Sequence, residues 1–356
     1  MKKYTILASI ILTCTLIAVL ALPSSGISAD KKVYTLTFAW NDIWGPKFRA
    51  SQVYRPGGEM QRMIHERSEG RIKLKIISRM FPGTDILEAV ATGKADMGDV
   101  PMPYHSGTYP LLNWGEVPGV VDENHLNGFA EELAIFQDPS ILKIYDETMG
   151  KIGLKFWFAT QWEPAVAIWS KKKIESLADL KGMKIRVYGY MPTLAVKSMG
   201  ASPVTIASGE LAPAMMAGTV DAALTSVSFG YSMGLTKTSK YITLVPVAST
   251  WTAITVFNAK KFNSLPPDLQ KVLTDVGREL QQMVMLSSTA EYIMSEDTVK
   301  LSDIEILTLP PDQRKIVLEK LKVVENEWLK LTGAKGKEFL SAAKSRVEKY
   351  RSFTGK

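Results

Sequence analysis

The sequence predicts an α/β protein of two lobes, and three observations carry that prediction. Strand and helix signals alternate along the first hundred residues, the order that gives a lobe of mainly parallel strands. The same grammar returns after residue 176, as if one plan were used twice. The chain has 356 residues and one cysteine, Cys14, so it is long enough to hold two hydrophobic cores without covalent staples.

Taken in order, Val33 to Trp40 is β-branched and aromatic, a strand, and Asn41 to Pro46 reads as a loop. Glu59 to Glu69 sets Met60, Met63 and Ile64 at helical spacing and stops at Gly70, which tolerates a left-handed backbone. Arg71 to Ile77 alternates Ile72, Leu74 and Ile76 with charged residues, the pattern of a half-buried strand. Asp85 and Glu88 have capping-box spacing ahead of Leu87, Val90 and Ala91, and Gly93 closes that helix.

In the second half, Ser176 and Asp179 repeat the capping-box spacing, Gly182 ends a short helix, and Met183 to Val187 is a strand. A helix started by Pro192 and ended by Gly200 follows. Residues 89–96, from Ala89 through Gly93 to Asp96, read like residues 214–221, from Ala214 through Gly218 to Asp221. Each is a helix end, a glycine stop and an aspartate entering a strand, although that motif is common enough to recur by chance.

Pro266 and Pro267 open a long helix to about Val299, which reads as a brace across both lobes. A second start at Pro310 and Pro311 precedes a helix with Ile316, Leu318, Leu321 and Trp328, and Gly336 to Ser352 reads as a last basic helix. No low-complexity linker is present, so strands are expected to cross between the lobes. The expected division is 30–157 plus about 246–265 in lobe I, 158–245 plus about 300–356 in lobe II, and 266–299 as the bridge.

Lys2, Lys3, the apolar run Ile6 to Leu22 and the small residues to Ala29 have the three-part pattern of a secretory signal, residues 1–29. Cleavage is expected after Ala29, with a cut after Gly26 or an uncleaved anchor as alternatives. Export to the periplasm follows. Cys14 lies inside the run and leaves with it, which removes disulfide and thiolate chemistry. The formal charge is +7, two units of it from Lys2 and Lys3. The remaining excess is mild and spread along the chain, so no nucleic-acid partner is expected.

Catalytic constellations are missing. His65, His105 and His125 have no zinc-helix spacing, and neither serine-nucleophile motifs nor phosphate or dinucleotide loops occur. The sequence therefore reads as a non-enzyme with no cofactor and no metal. Arg186 stands out because it lies near the C-terminal end of a strand, where α/β sheets collect ligands, and its fork pairs both oxygens of a carboxylate. Periodicity alone favours a plain exposed strand arginine opposite Ile185.

Residues 180–187 (Leu-Lys-Gly-Met-Lys-Ile-Arg-Val), then Gly200-Ala201-Ser202-Pro203, Gly209-Glu210-Leu211 and Gly218-Thr219-Val220-Asp221 carry a likeness. So do Leu87 to Val90 with Gly93 and Asp96, and residues 262–267. As a set they resemble the periplasmic solute-binding proteins of tripartite ATP-independent (TRAP) transporters, dicarboxylate-binding type. The resemblance implies the two-lobed periplasmic binding protein fold with a hinge, a small organic acid held by Arg186, and TRAP membrane permease subunits as partners.

Where many members carry a second arginine, this chain has Gln161-Trp162-Glu163-Pro164; Ala212 replaces an aromatic, and Ala222 to Ser226 a polar cluster. These departures shift the expected ligand from a dicarboxylate to an aromatic or apolar monocarboxylate. Trp40, Trp44, Tyr104, Trp162, Phe229 and Trp251 are the candidate aromatic lining, Thr225 and Ser226 the candidates for the ligand's polar end, and Glu163 a candidate for an amino group. A carboxylate-sensing receptor and a secreted enzyme on the same scaffold are the alternatives.

Overall fold

The computed structural model describes residues 32–41, 51–122, 125–163 and 166–355. The signal segment 1–29 and Trp44 lie outside the described residues. Among the described residues eleven strands form two sheets. The first contains β1 (Tyr34–Trp40), β2 (Ile72–Ser78), β3 (Met97–Pro101), β4 (Leu154–Glu163) and β10 (Trp251–Asn258), in the order β2-β1-β3-β10-β4. The second contains β5 (Val166–Ser170), β6 (Lys184–Val187), β7 (Ser202–Thr205), β8 (Ala222–Ser226), β9 (Tyr241–Val245) and β11 (Glu305–Thr308), in the order β11-β9-β5-β8-β6-β7.

The helices are α1 (Ser51–Tyr54), α2 (Glu59–Arg67), α3 (Ile86–Ala91), α4 (His125–Phe136), α5 (Pro139–Gly150), α6 (Tyr190–Ser198), α7 (Leu211–Ala217), α8 (Val227–Ser232), α9 (Ala259–Asn263), α10 (Pro267–Lys300) and α11 (Pro311–Thr354). Short 3-10 turns link several of them.

The repeat glimpsed in the sequence is present in three dimensions. In the first sheet β1 is flanked in parallel by β2 and β3, and in the second β6 is flanked in parallel by β7 and β8. An antiparallel strand then follows in each, β10 beside β3 and β5 beside β8. The two aspartates do the same work. Asp96 accepts from Thr37 N at 2.8 Å and its own amide donates to Thr37 O, while Asp221 accepts from Lys184 N at 2.8 Å and its amide donates to Lys184 O. Gly93 and Gly218 both close their helices with positive φ, 80° and 71°.

Two local expectations are corrected. Asp85 does not cap α3: its backbone is already in the α region (φ −108°, ψ −10°), and its carboxylate takes the Thr84 hydroxyl instead. The helix before Gly200 begins at Tyr190, two residues ahead of Pro192. By contrast Ser176 and Asp179 make both capping-box bonds, around the 3-10 turn Leu177–Leu180.

The chain passes between the sheets from β4 to β5 and again from β9 to β10. The brace α10 lies along the edge strand β4, where Gly277 sits against the Trp157 ring, Trp157 Nε1 donates to Leu273 O at 2.7 Å, and Ala159 N donates to Gln281 Oε1 at 2.8 Å. The Gln281 side chain thus uses an edge amide that would otherwise invite another strand. Helix α11 breaks at Gly333 (φ 60°, ψ −136°) and folds back on itself, bringing Lys344 Nζ within 3.2 Å of Glu325. Its first arm is pinned by Trp328 Nε1, which donates to Pro110 O at 2.6 Å.

Candidate functional site

Arg186 occupies the centre of the parallel trio of the second sheet, opposite Ala223 on β8 and Val204 on β7, and it is fully buried. Its Nε donates to Ile206 O at 2.9 Å, Nη1 to Leu224 O at 3.3 Å and Nη2 to Ser208 Oγ at 3.3 Å. These bonds fix the plane of the fork and leave one N–H on each terminal nitrogen. Burial lowers its pKa to about 10, against the opposing influence of the Tyr104 and Tyr188 oxygens, so it remains a cation at neutral pH. Among the described residues no carboxylate pairs with it. A buried cation without a counter-charge is costly, and a carboxylate on the two remaining N–H groups relieves that cost.

Tyr188 follows Arg186 by two residues, and the guanidinium lies over its ring, 5.6 Å from the centroid. Trp251 Nε1 donates to Tyr188 Oη, and the two rings meet edge to face at 4.2 Å. Since Tyr188 extends from β6 and Trp251 begins β10, this contact joins the two sheets. Three more contacts do so nearby. Tyr104 Oη is 2.6 Å from Ser208 Oγ, Tyr190 N donates to Ser106 Oγ at 3.2 Å, and Gly189 packs so tightly that a Cβ there would lie 2.6 Å from Pro103 O. We call this set of contacts the seam.

Two ionisable groups lie on the first-sheet side near these contacts. Neither carboxyl oxygen of Glu116 makes a hydrogen bond of good geometry, and burial raises its pKa well above the ordinary value, partly opposed by the Ser106 hydroxyl. His105 Nε2 is also unpartnered, and burial lowers its pKa to about 4, partly opposed by Asp85. No group of three or more His, Cys, Asp or Glu among the described residues converges to hold a metal.

The other candidates fall in different places. Tyr104, Arg186 and Trp251 meet at the seam. Trp40 is buried in the core of the first sheet, stacked on Tyr54 with centroids 6.2 Å apart. Ser226 caps α8 by accepting Phe229 N at 3.2 Å, and Phe229 itself is buried. Thr225 Oγ1 is buried with no partner, beside Leu224, whose carbonyl holds Arg186. Trp162 and Glu163 end β4, with Glu163 in register with Trp251, but their side chains lie outside the described residues.

Sequence reasoning missed Tyr188, Ser208 and Glu116. A signal existed for Tyr188, since residues two apart on a strand share a face. Periodicity gave none for Ser208, which sits in a turn 22 positions after Arg186, or for Glu116, which lies in a different turn before it.

A family model, bacterial extracellular solute-binding protein family 7 (DctP), matches residues 51–331. The chain belongs to this family, the solute receptors of TRAP transporters. A solute-binding protein of Albidiferax ferrireducens is 27% identical over 239 residues, 65% of this chain and 67% of its own. A monocarboxylate 2-oxoacid-binding periplasmic protein of Nostoc sp. is 26% identical over 196 residues, 53% of this chain and 49% of its own.

Among solved structures, a Bordetella pertussis extracytoplasmic solute receptor binding pyroglutamic acid superimposes with a TM-score of 0.77 at 21% identity, covering 87% of this chain and 99% of its own. A TRAP solute-binding protein of Bordetella bronchiseptica with bound mandelate gives 0.75 at 20% identity, covering 89% and 99%. The two-sheet architecture is therefore that of the DctP receptors, and these proteins are solute receptors rather than enzymes.

Proposed function

We propose that this receptor captures an organic acid between its lobes through Arg186 and hands it to TRAP permease subunits at the membrane surface, in the periplasm. The observation that carries the reading is the buried guanidinium, held flat by three protein acceptors, with one N–H left on each terminal nitrogen. That is the donor pair a carboxylate takes bidentately. We place the lobes around the two sheets: 30–157 plus about 246–265 in one, 158–245 plus about 300–356 in the other, bridged by 266–299. Two boundaries depart from that division: β4 pairs with β10 as far as Glu163, so the crossing falls after 163 rather than 157, and the last arm of α11 packs on the first lobe, where Arg351 Nε donates to Glu131 at 2.6 Å.

The ligand in this proposal is a monocarboxylate with an aromatic or apolar body. Among the described residues Arg186 is the cation of the site, with the Tyr188 ring beneath it, Trp251 edge-on to that ring and Tyr104 bonded to the serine that Arg186 also holds, so these residues offer a ring flat neighbours and no second cation. The Nostoc relative is named for monocarboxylate 2-oxoacids and the B. bronchiseptica neighbour holds mandelate, which supports the same chemistry. The test is a calorimetric and thermal-shift panel of succinate, malate, lactate, pyruvate, phenylacetate, mandelate, indole-3-acetate and both enantiomers of tryptophan. Tight binding of succinate or malate, with no response to any ring-bearing acid, would overturn the ligand class.

A further inference from the structure

We propose that the Tyr188 hydroxyl is a specificity-determining donor: it hydrogen-bonds an oxygen on the carbon next to the ligand's carboxylate, so the solute is a 2-hydroxy or 2-oxo acid. The inference rests on the carboxylate seat at Arg186 proposed above and narrows the acids that fit it.

Tyr188 comes directly after β6 and two residues beyond Arg186, so the two side chains share a face. The guanidinium carbon stands 5.6 Å from the Tyr188 ring centroid, and Tyr188 is buried. Because both residues belong to one short stretch of backbone, their spacing does not depend on how the lobes stand. The phenol oxygen sits at the end of that ring, so the part of a ligand within its reach is the carbon adjoining the carboxylate and not a distant tail.

The hydrogen-bonding capacities of the two seam rings give the hydroxyl its direction. An indole N–H can only donate, so Tyr188 Oη is the acceptor in its bond with Trp251 Nε1. The phenol's own proton has no acceptor among the described residues, and neither oxygen of Glu116 takes it. Burial keeps the phenol protonated. A buried donor left unpaired is costly, and a ligand oxygen that accepts its proton relieves that cost. An ammonium at the same carbon does not, since it brings further protons beside a guanidinium. Tyr104 and Ser208 also hold one hydroxyl proton more than their mutual bond uses, but either oxygen can carry it, and the pair spans the seam. Tyr188 alone presents a fixed donor on the same strand face as the cation.

The test is calorimetry of the full chain with acids that differ only beside the carboxylate: phenylacetate, each enantiomer of mandelate, and phenylglyoxylate, with phenylglycine as the ammonium counterpart. Propanoate, lactate and pyruvate repeat the comparison without a ring. Wild type should bind phenylglyoxylate and the better mandelate enantiomer about tenfold or more tighter than phenylacetate, and phenylglycine no tighter than phenylacetate. Tyr188→Phe should bring both oxygenated acids down to the level of phenylacetate. A hydroxyl needed only to hold Trp251 would instead weaken every acid by one factor and leave the preference in place, which overturns the proposal. Tyr104→Phe should weaken all the acids alike; loss of the preference in that variant assigns the donor to Tyr104 or Ser208 and overturns it too. Phenylglycine as tight as mandelate reveals an acceptor in place of the donor, with the same consequence. If Tyr188→Phe does not fold, the wild-type panel and Tyr104→Phe carry the decision. Binding without preference in either set overturns the inference alone, whereas no binding in either set overturns the carboxylate reading of Arg186 with it.

Discussion

Tyr104 Oη and Ser208 Oγ stand 2.6 Å apart across the seam, and Arg186 Nη2 donates to the same serine oxygen at 3.3 Å. The cation of one lobe is thereby joined to the other lobe through a single hydroxyl. Tyr104→Phe keeps the ring and removes that bond, which is worth about 1 kcal/mol. Ligand affinity should fall about fivefold by calorimetry, with the unfolding midpoint unchanged. An altered midpoint with unaltered affinity would make the bond purely structural.

Arg186→Ala should weaken binding of the carboxylate ligand at least about tenfold, from the loss of roughly 1.5–3 kcal/mol of charged hydrogen bonding. Arg186→Lys should recover little of it, because an ammonium cannot span Ile206 O, Leu224 O, Ser208 and a ligand at once. Unchanged affinity in both variants, measured by calorimetry, removes Arg186 from the site.

The twin aspartates should differ in weight. Asp96 accepts from both the amide and the hydroxyl of Thr37 and lies 3.3 Å from Lys261, whereas Asp221 accepts only Lys184 N in a more exposed setting. Asp96→Ala should cost about 2–3 kcal/mol in urea unfolding and Asp221→Ala about 1 kcal/mol. Equal losses would contradict the bond inventory.

Gly230→Ala should destabilise the second lobe by about 1–3 kcal/mol, since a Cβ there would lie 2.3 Å from Trp169 Cε2 while the indole is fixed by its bond to Ser226 O at 3.2 Å. Gly209→Ala, with open space around the added carbon, serves as the control. Matching melting temperatures for the two variants would refute the argument.

His105 gives a stability slope of known sign. Its folded pKa, about 4, lies below the ordinary 6.5, so the unfolded chain binds the extra proton first. The stability it contributes is complete above pH 6.5 and is lost as pH falls towards 4. Urea midpoints of His105→Phe should therefore depend less on pH across that window than those of the wild type; identical slopes would show that the imidazole stays hydrated.

Much of each lobe was legible in the sequence because it depends on local rules. Ile72, Leu74 and Ile76 alternate because one face of β2 is covered, and Gly70, Gly93, Gly182 and Gly218 all take the positive φ that a helix or turn stop requires. Even the recurrence of Asp96 and Asp221 was visible as a pattern, since each enters its own strand and accepts an amide of the neighbouring parallel strand. The failure at Asp85 is instructive. Capping-box spacing states which bonds are possible, but Thr84 competed for the carboxylate and the backbone had already turned helical.

The sequence by itself determined the strands and helices of residues 33–96 and 176–221, the long brace beginning at Pro267, and through the family likeness the importance of Arg186. Only the tertiary structure decided what surrounds that arginine. Trp40 and Trp251 are both strand tryptophans, yet one stacks on Tyr54 inside a core and the other reaches Tyr188 across the seam. The difference lies in how two sheets, each specified by short-range patterns, come to face one another, because Tyr104 and Ser208 acquire their roles from a contact 104 positions apart in the chain.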